Sequence, residues 1–219
     1  MKKKAIVLIL IVAVVSAVIF FLRNRSEGKL FEVMKVPEFE LMNQNSQLIS
    51  NEDMLGKVYV VEFFFTNCPT ICPVMNQNLK EIEKEINHPD FGVVSITIDP
   101  KRDTPEILKK HQEKLQIKNP NWYFLTGNRD YIYQISKEFN IYVGKDEATA
   151  EGLNHSGKFA LVDKNGRIRC RFGENGVPVL YYSGLNYADV DGRKESLGGE
   201  FHPQIEWLKE DIEKLLEEN

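Results

Sequence analysis

Two cysteines separated by three residues could exchange electrons, hold a metal ion or simply fill space. Cys68 and Cys72 lie in TNCPTICP, after the apolar run VYVVEFFF and before a segment with helical spacing. This pattern places Cys68 in the loop that leaves a strand and Cys72 where a helix begins, so free N–H groups and the helix dipole favour a thiolate there. Sites in open α/β sheets lie at this end of a strand, which argues against cysteines that merely fill space. The spacing permits a shared metal ion or a disulfide, and does not choose between them.

A metal ion held by these cysteines would need a third ligand, and His155 is the best placed of the four histidines. It lies in GLNHSGKFALVD, a glycine-flanked loop just before a predicted strand, whereas His88 lies in a turn, His111 on a helix face and His202 before the last helix. A set of two thiolates and one imidazole is soft and suits Cu(I), or Cu(II) with an added donor. Zinc could use the same set with one open position, so the residues leave copper and zinc open.

The third cysteine, Cys170, is predicted to be a buried small hydrophobe. In RIRCRF it shares one face of a strand with Ile168 and Phe172, while arginines occupy the other face. Free cysteine commonly packs in this way.

Alternating strands and helices must position these residues. Continuous apolar runs at 58–65 and 91–98 predict strands covered on both faces, and Met75, Leu79 and Ile82 give the spacing of an amphipathic helix after Cys72. A third strand at 122–125, a third helix near Ile132, a hairpin around KNG and a final amphipathic helix follow. This order predicts an α/β fold of the thioredoxin-like type, with a central mixed β-sheet flanked by helices.

The N-terminus predicts a transmembrane helix. After a basic tail (residues 1–4), residues 5–22 contain no charge, which at about 1.5 Å per residue is just long enough to span a membrane. A signal peptide is the competing interpretation, and the absence of a clear small-residue cleavage site favours the anchor. Residues 23–35 would be a tether and 36–219 the domain. The three lysines at the start favour a single-pass protein of the cell membrane with a cytoplasmic N-terminus and an extracytoplasmic domain.

The amino-acid composition limits the classes of partner that the protein is expected to bind. The 219 residues are 42% hydrophobic and 27% charged, with a net charge of -4, so electrostatics gives no reason to expect nucleic acid. Outside the cytosol, two close thiols oxidise unless a reductant or a metal protects them. A redox partner or a metal ion is therefore expected.

Three motifs in register resemble one known family. The motifs are FFFTNCPTICP, SITIDPKRDTPEIL and a histidine before FALVDKNGRI, and they follow an N-terminal membrane segment. Together they are similar to the Sco/SenC family of copper chaperones. The resemblance implies a thioredoxin-like domain that binds one copper ion through Cys68, Cys72 and His155. It implies a role in assembling the dinuclear copper centre of cytochrome c oxidase, by copper delivery, by reduction of its cysteines, or both. Asp99 would lie near the site and organise the loop rather than bind copper, or would cap the turn.

The implied partners are the copper-site subunit of cytochrome c oxidase, with other copper chaperones or thiol reductants. The sequence departs from the family pattern at Asn154, where an acidic residue is usual, and in a long inserted loop at 173–201. The resemblance favours a chaperone over a dedicated enzyme. A thiol-disulfide oxidoreductase acting through Cys68 and Cys72 remains the alternative, although its usual motif has two intervening residues. A peroxidase is disfavoured, because Phe65 stands where such enzymes place a threonine.

Overall fold

Strands and helices alternate around a large mixed sheet. The structure, a computed structural model, describes residues 30–69, 71–145, 153–173, 176–185 and 204–218. The helices are α1 (Ile71–Ile86), α2 (Pro105–Leu115), α3 (Arg129–Glu138) and α4 (Gln204–Glu217), with a short 3-10 helix at Glu52–Met54. The strands are β1 (Phe31–Lys35), β2 (Glu40–Asn43), β3 (Leu48–Ser50), β4 (Val58–Phe64), β5 (Phe91–Thr97), β6 (Trp122–Thr126), β7 (Val143–Lys145), β8 (Leu153–His155), β9 (Lys158–Val162), β10 (Arg167–Phe172), β11 (Pro178–Val179) and β12 (Tyr182–Ser183).

The main sheet has the strand order β1-β10-β9-β4-β5-β6-β2-β3. β4, β5 and β6 are parallel, and β9 and β10 join them as an antiparallel pair. Every residue of β4 and β5 is buried, which requires cover on both faces. The prediction of a central mixed sheet flanked by helices is thus confirmed.

The helices begin where the sequence signals them. At α2, the Thr104 side chain accepts a hydrogen bond from the Ile107 N–H and Pro105 occupies the first turn. At α3, the Asn128 side chain accepts from the Tyr131 N–H. These caps satisfy N–H groups that the first turn leaves without helical partners.

The folded domain begins earlier than the boundary predicted from the sequence. Phe31–Lys35 lies within the segment interpreted as a tether, yet it forms β1, which pairs with β10 along the sheet edge. An ion pair of 3.3 Å between Arg167 and Glu32 accompanies this pairing. A short strand of mixed polarity on a sheet edge gives little periodicity, which is why the sequence pattern did not reveal it.

Two predicted segments lie wholly or partly outside the described residues. The membrane helix at 5–22 is outside them, and within the described part of the chain no helix is long and apolar enough to cross a membrane. Of the 173–201 insertion, the described residues contribute β11 and β12, which pair with β10 and β9. The Asn78 side chain donates a hydrogen bond of 2.8 Å to the carbonyl of Gly184 and fastens this excursion to α1.

Candidate metal site

The cysteine loop leaves the central strand β4 and leads directly into α1. The Cys68 N–H donates to the Phe65 carbonyl at 3.2 Å, which closes a turn at the end of the strand. Cys72 is the second residue of α1. The predicted placement of Cys68 in the loop and Cys72 at the helix start is confirmed.

The two sulfur-bearing residues are in contact through the backbone. The Cys72 N–H donates to the Cys68 sulfur at 3.4 Å, and both residues are thiols in this structure. Cys68 is 8% and Cys72 2% exposed, so the pair lies just below the surface. An N–H directed at a sulfur stabilises negative charge there, which suits a thiolate nucleophile or a metal ligand.

Cys72 holds its proton more tightly than an ordinary cysteine, contrary to the thiolate predicted at the start of the helix. Its pKa is raised well above the usual range, first by its hydrogen bond with Cys68 and then by burial. Negative charge on Cys68 or Glu62 raises it further. A metal ion that binds both sulfurs must displace this proton, so affinity should increase with pH.

A buried carboxylate, Asp103, fastens the cysteine loop to the end of β5. Its Oδ2 accepts from the Thr66 N–H at 3.1 Å and from the Thr97 hydroxyl, and its Oδ1 accepts from the Thr66 hydroxyl. Asp103 is 1% exposed. Because Thr66 lies two residues before Cys68, these bonds fix the path of the chain into the site.

Asp99, the acid that the sequence places near the site, organises the turn after β5. Its carboxylate pairs with Arg102 at 3.3 Å, and its carbonyl accepts from the Asp103 N–H at 2.9 Å. Asp103 is therefore the carboxylate whose hydrogen bonds reach the cysteine loop. Both acids occur in IDPKRDTP, and spacing alone does not reveal which one turns inward.

His155 ends a strand rather than lying in the predicted glycine-flanked loop. It is the last residue of β8, opposite Val143 of β7, and Ser156 donates to the Tyr142 carbonyl at 3.1 Å. β9 begins three residues later and runs antiparallel to β4, with Phe159 opposite Glu62. The main chain of His155 therefore lies at the edge of the sheet where β4 gives way to the cysteine loop.

The ligand set remains a prediction. The His155 imidazole lies outside the described part of the structure. Among the described side chains, no group of three or more His, Cys, Asp or Glu is close enough together to hold a metal ion. The two adjacent thiols are donors that fit a soft metal ion.

Cys170 is fully buried in β10, as predicted. Burial raises the pKa of its thiol. A neutral, buried thiol behaves as a small hydrophobe.

Glu62 is a second buried acid that the sequence pattern did not single out, because it lies within an apolar strand. The Ser95 hydroxyl donates to its Oε1 at 2.7 Å, and Oε2 has no hydrogen-bond partner among the described residues. Burial raises the pKa of Glu62 to about 7, while the bond from Ser95 lowers it. The carboxyl therefore stays protonated over a pH range in which an unfolded chain would ionise it.

Glu62→Gln is expected to flatten the pH dependence of folding. The native pKa lies above the unfolded one, so this group's contribution to stability is full below about pH 4.5 and is lost as pH rises through about 7. Between pH 5 and 8 the wild type should lose about 2–3 kcal/mol of unfolding free energy relative to Glu62→Gln. Urea unfolding at both pH values measures this. Parallel pH profiles for the two proteins would contradict it.

Comparison with known proteins identifies a family for this architecture. The family model described as SCO1/SenC matches residues 28–182. The SCO1 protein homolog of Bacillus subtilis is 33% identical over 155 residues, which cover 69% of this chain and 79% of that protein.

Solved structures agree with this match. A SCO1/SenC family lipoprotein from Bacillus anthracis has a TM-score of 0.67 at 30% identity, covering 86% of this chain and 98% of that one. BsSco, a Sco-family cytochrome c oxidase assembly protein with a disulfide switch, has a TM-score of 0.65 at 26% identity, covering 86% and 97%. Copper-bound ScoI of Bradyrhizobium japonicum, at 20% identity and a TM-score of 0.57 over 84% and 100%, shares the fold.

Proposed function

Because the chain belongs to the SCO1/SenC family, we propose that it is a membrane-anchored copper-binding protein that helps to assemble the dinuclear copper centre of cytochrome c oxidase. Copper is its cargo, and the partner is the copper-site subunit of the oxidase. The family model covers residues 28–182, which include both cysteines and His155. Membrane attachment through residues 5–22 and an extracytoplasmic domain belong to the same proposal.

The buried cysteine pair is the observation that carries this proposal. The Cys72 backbone N–H donates a hydrogen bond of 3.4 Å to the Cys68 sulfur at the start of a helix, and the two neighbouring thiols offer two soft donors to one metal ion. The edge position of the His155 main chain supports it as the third ligand. Soft donors in low number favour Cu(I) over hard cations.

The residues around the pair have separate roles in binding and release. Cys68 accepts the Cys72 N–H, so its sulfur is the better nucleophile and the first donor. Cys72 gives up its proton when both sulfurs bind. Asp103 holds the loop through its hydrogen bonds to Thr66, two residues before Cys68.

Thiol-disulfide exchange is the second candidate function, and the same pair supports it. Cys68 could attack a disulfide of the oxidase subunit, after which Cys72 would release the reduced partner and close a Cys68–Cys72 disulfide. Two electrons pass from the pair to the target disulfide. The disulfide switch named for BsSco, at 26% identity, supports this chemistry as an accompaniment to copper binding.

A two-arm transfer experiment tests both functions. In one arm, the full-length protein carrying one Cu(I) is mixed anaerobically with the reduced, copper-free domain of an oxidase copper subunit, and copper is measured on each after separation. In the other, the reduced copper-free protein is mixed with the same domain in its disulfide form, and thiols are counted. We expect copper to move in the first arm.

Cysteine variants show whether copper transfer and thiol exchange depend on the Cys68–Cys72 pair. Cys68→Ser should lose activity in both arms, whereas Cys170→Ser, which alters a thiol buried in β10, should keep it. Thiol exchange without copper transfer would make reduction the main function. Failure of the wild-type protein in both arms would contradict the proposal.

A further inference from the structure

Two phenylalanines form an exposed aromatic pair at one corner of the sheet. Phe31 begins β1 and Phe172 ends β10, with ring centroids 6.0 Å apart in an edge-to-face arrangement. They are 52% and 55% exposed, and Leu180 beside β11 is 40% exposed. Single exposed apolar side chains are ordinary, whereas two exposed aromatic rings in contact with each other form a candidate contact surface.

The strand directions place this pair at the end of the sheet where β4 finishes and the cysteine loop begins. This end of the sheet is called the cysteine edge. β9 is antiparallel to β4, and β10 is antiparallel to β9, so β10 runs in the direction of β4. Its last residue, Phe172, thus lies at the edge where β4 leads to Cys68. β1 is antiparallel to β10, so its first residue, Phe31, starts from that edge.

The sequence before β1 indicates what covers the pair. The uncharged run 5–22 ends nine residues before Phe31. Even a fully extended chain of nine residues reaches at most about 30 Å. If that run spans the bilayer, Phe31 can never move further than this from the membrane surface.

The charge of the segment that connects this run to β1 also favours contact with a membrane. Residues 23–30, RNRSEGKL, contain three basic residues and one acidic residue, and this net positive charge would be attracted to any anionic headgroups on the side of the membrane where the domain lies. On segments that lie on a membrane surface, phenylalanine is among the side chains that bury at the boundary between headgroups and acyl chains. The pair and the segment therefore complement one kind of partner, the membrane interface.

We propose that Phe31 and Phe172 insert into the interfacial layer of the membrane that carries the protein. This contact orients the domain with the cysteine edge of its sheet towards the bilayer, which would suit exchange with a copper site in a membrane-bound partner. The inference rests on the anchor included in the proposed function, and adds the orientation of the domain and the residues that set it.

Phe172→Trp, in the full-length protein reconstituted into vesicles, reports on this contact. The vesicles contain anionic lipid, with or without lipids brominated near the headgroup, and the emission of the wild type, with Trp122 and Trp207, is subtracted. Because interfacial groups lie about 5–10 Å into the boundary region, the added emission should shift to shorter wavelength and fall by about half in the brominated vesicles. The matched control is Leu48→Trp, since Leu48 is 60% exposed on β3 at the opposite end of the sheet order.

The outcomes separate this inference from the function on which it rests. Strong quenching of Phe172→Trp and none of Leu48→Trp supports the contact. Equal quenching of both, or of neither, in protein that floats with the vesicles overturns the inference and leaves the anchor standing. Protein that fails to float overturns the anchor and the inference together. If Phe172→Trp changes only after the oxidase copper domain is added, the patch binds protein, and the membrane contact is wrong.

Discussion

His155→Ala is expected to weaken Cu(I) binding by roughly 100-fold or more, because in the proposed site it removes a directly bound donor, and loss of even an indirect partner commonly costs 10- to 100-fold. The main chain of His155 ends β8 at the cysteine edge of the sheet. Folding should be little changed, since β7 and β8 form a small sheet apart from the main one. Competition with a Cu(I) chelator measures the affinity, and circular dichroism measures the fold.

His88→Ala is the matched control. His88 follows α1 in an exposed turn, where its ring accepts a hydrogen bond from the Asp90 N–H at 3.1 Å. This variant should bind copper as the wild type does. Equal affinities for His155→Ala and the wild type would remove His155 from the ligand set and leave a site of two cysteines.

Asp103→Asn is expected to weaken both folding and copper binding. The carboxylate accepts three hydrogen bonds from Thr66 and Thr97 while almost fully buried, and the amide that replaces one oxygen cannot accept them all. A loss of about 2–4 kcal/mol in unfolding free energy follows from bonds to a buried charge. Freer movement of the cysteine loop should lower Cu(I) affinity by roughly 10-fold.

Asp211→Asn separates these two effects. Asp211 is also fully buried, but it lies on α4, where it accepts from the Tyr182 hydroxyl at 2.7 Å and pairs with Arg171 at 3.0 Å and Lys214 at 2.9 Å. Its loss should destabilise the fold by a similar amount, about 2–4 kcal/mol, without changing copper affinity. If the two variants bind copper equally well at a temperature at which both are folded, Asp103 does not position the loop.

The fold could be predicted because its strongest signals are local. Apolar runs gave β4, β5 and β6, and KNG gave the hairpin between β9 and β10, in which Gly166 has a φ of +69°. The edge strand β1 and the hairpin β7–β8 carry weak periodicity and form through pairing with distant partners. Such pairings depend on tertiary structure, which a window of sequence does not contain.

The sequence predicted where the two cysteines lie in the fold, but it did not reveal the buried acids around them. Cys68 and Cys72 lie where strand and helix signals placed them. In the sequence, Glu62 is a single polar residue within an apolar strand. Its burial against Ser95 depends on the neighbouring strand, so the local pattern does not reveal it. Asp103 and Asp99 are indistinguishable by type, and the turn geometry decides which of them bonds to Thr66.

X-ray absorption at the copper edge, on full-length protein loaded with one equivalent of Cu(I), identifies the donor atoms of the proposed site. We expect a three-coordinate Cu(I) with two sulfur donors, from Cys68 and Cys72, and one nitrogen donor, from His155. Loss of the nitrogen donor in His155→Ala would assign it. A spectrum with sulfur donors alone, or protein that retains no copper after a chelator wash, would contradict the Cys₂His site.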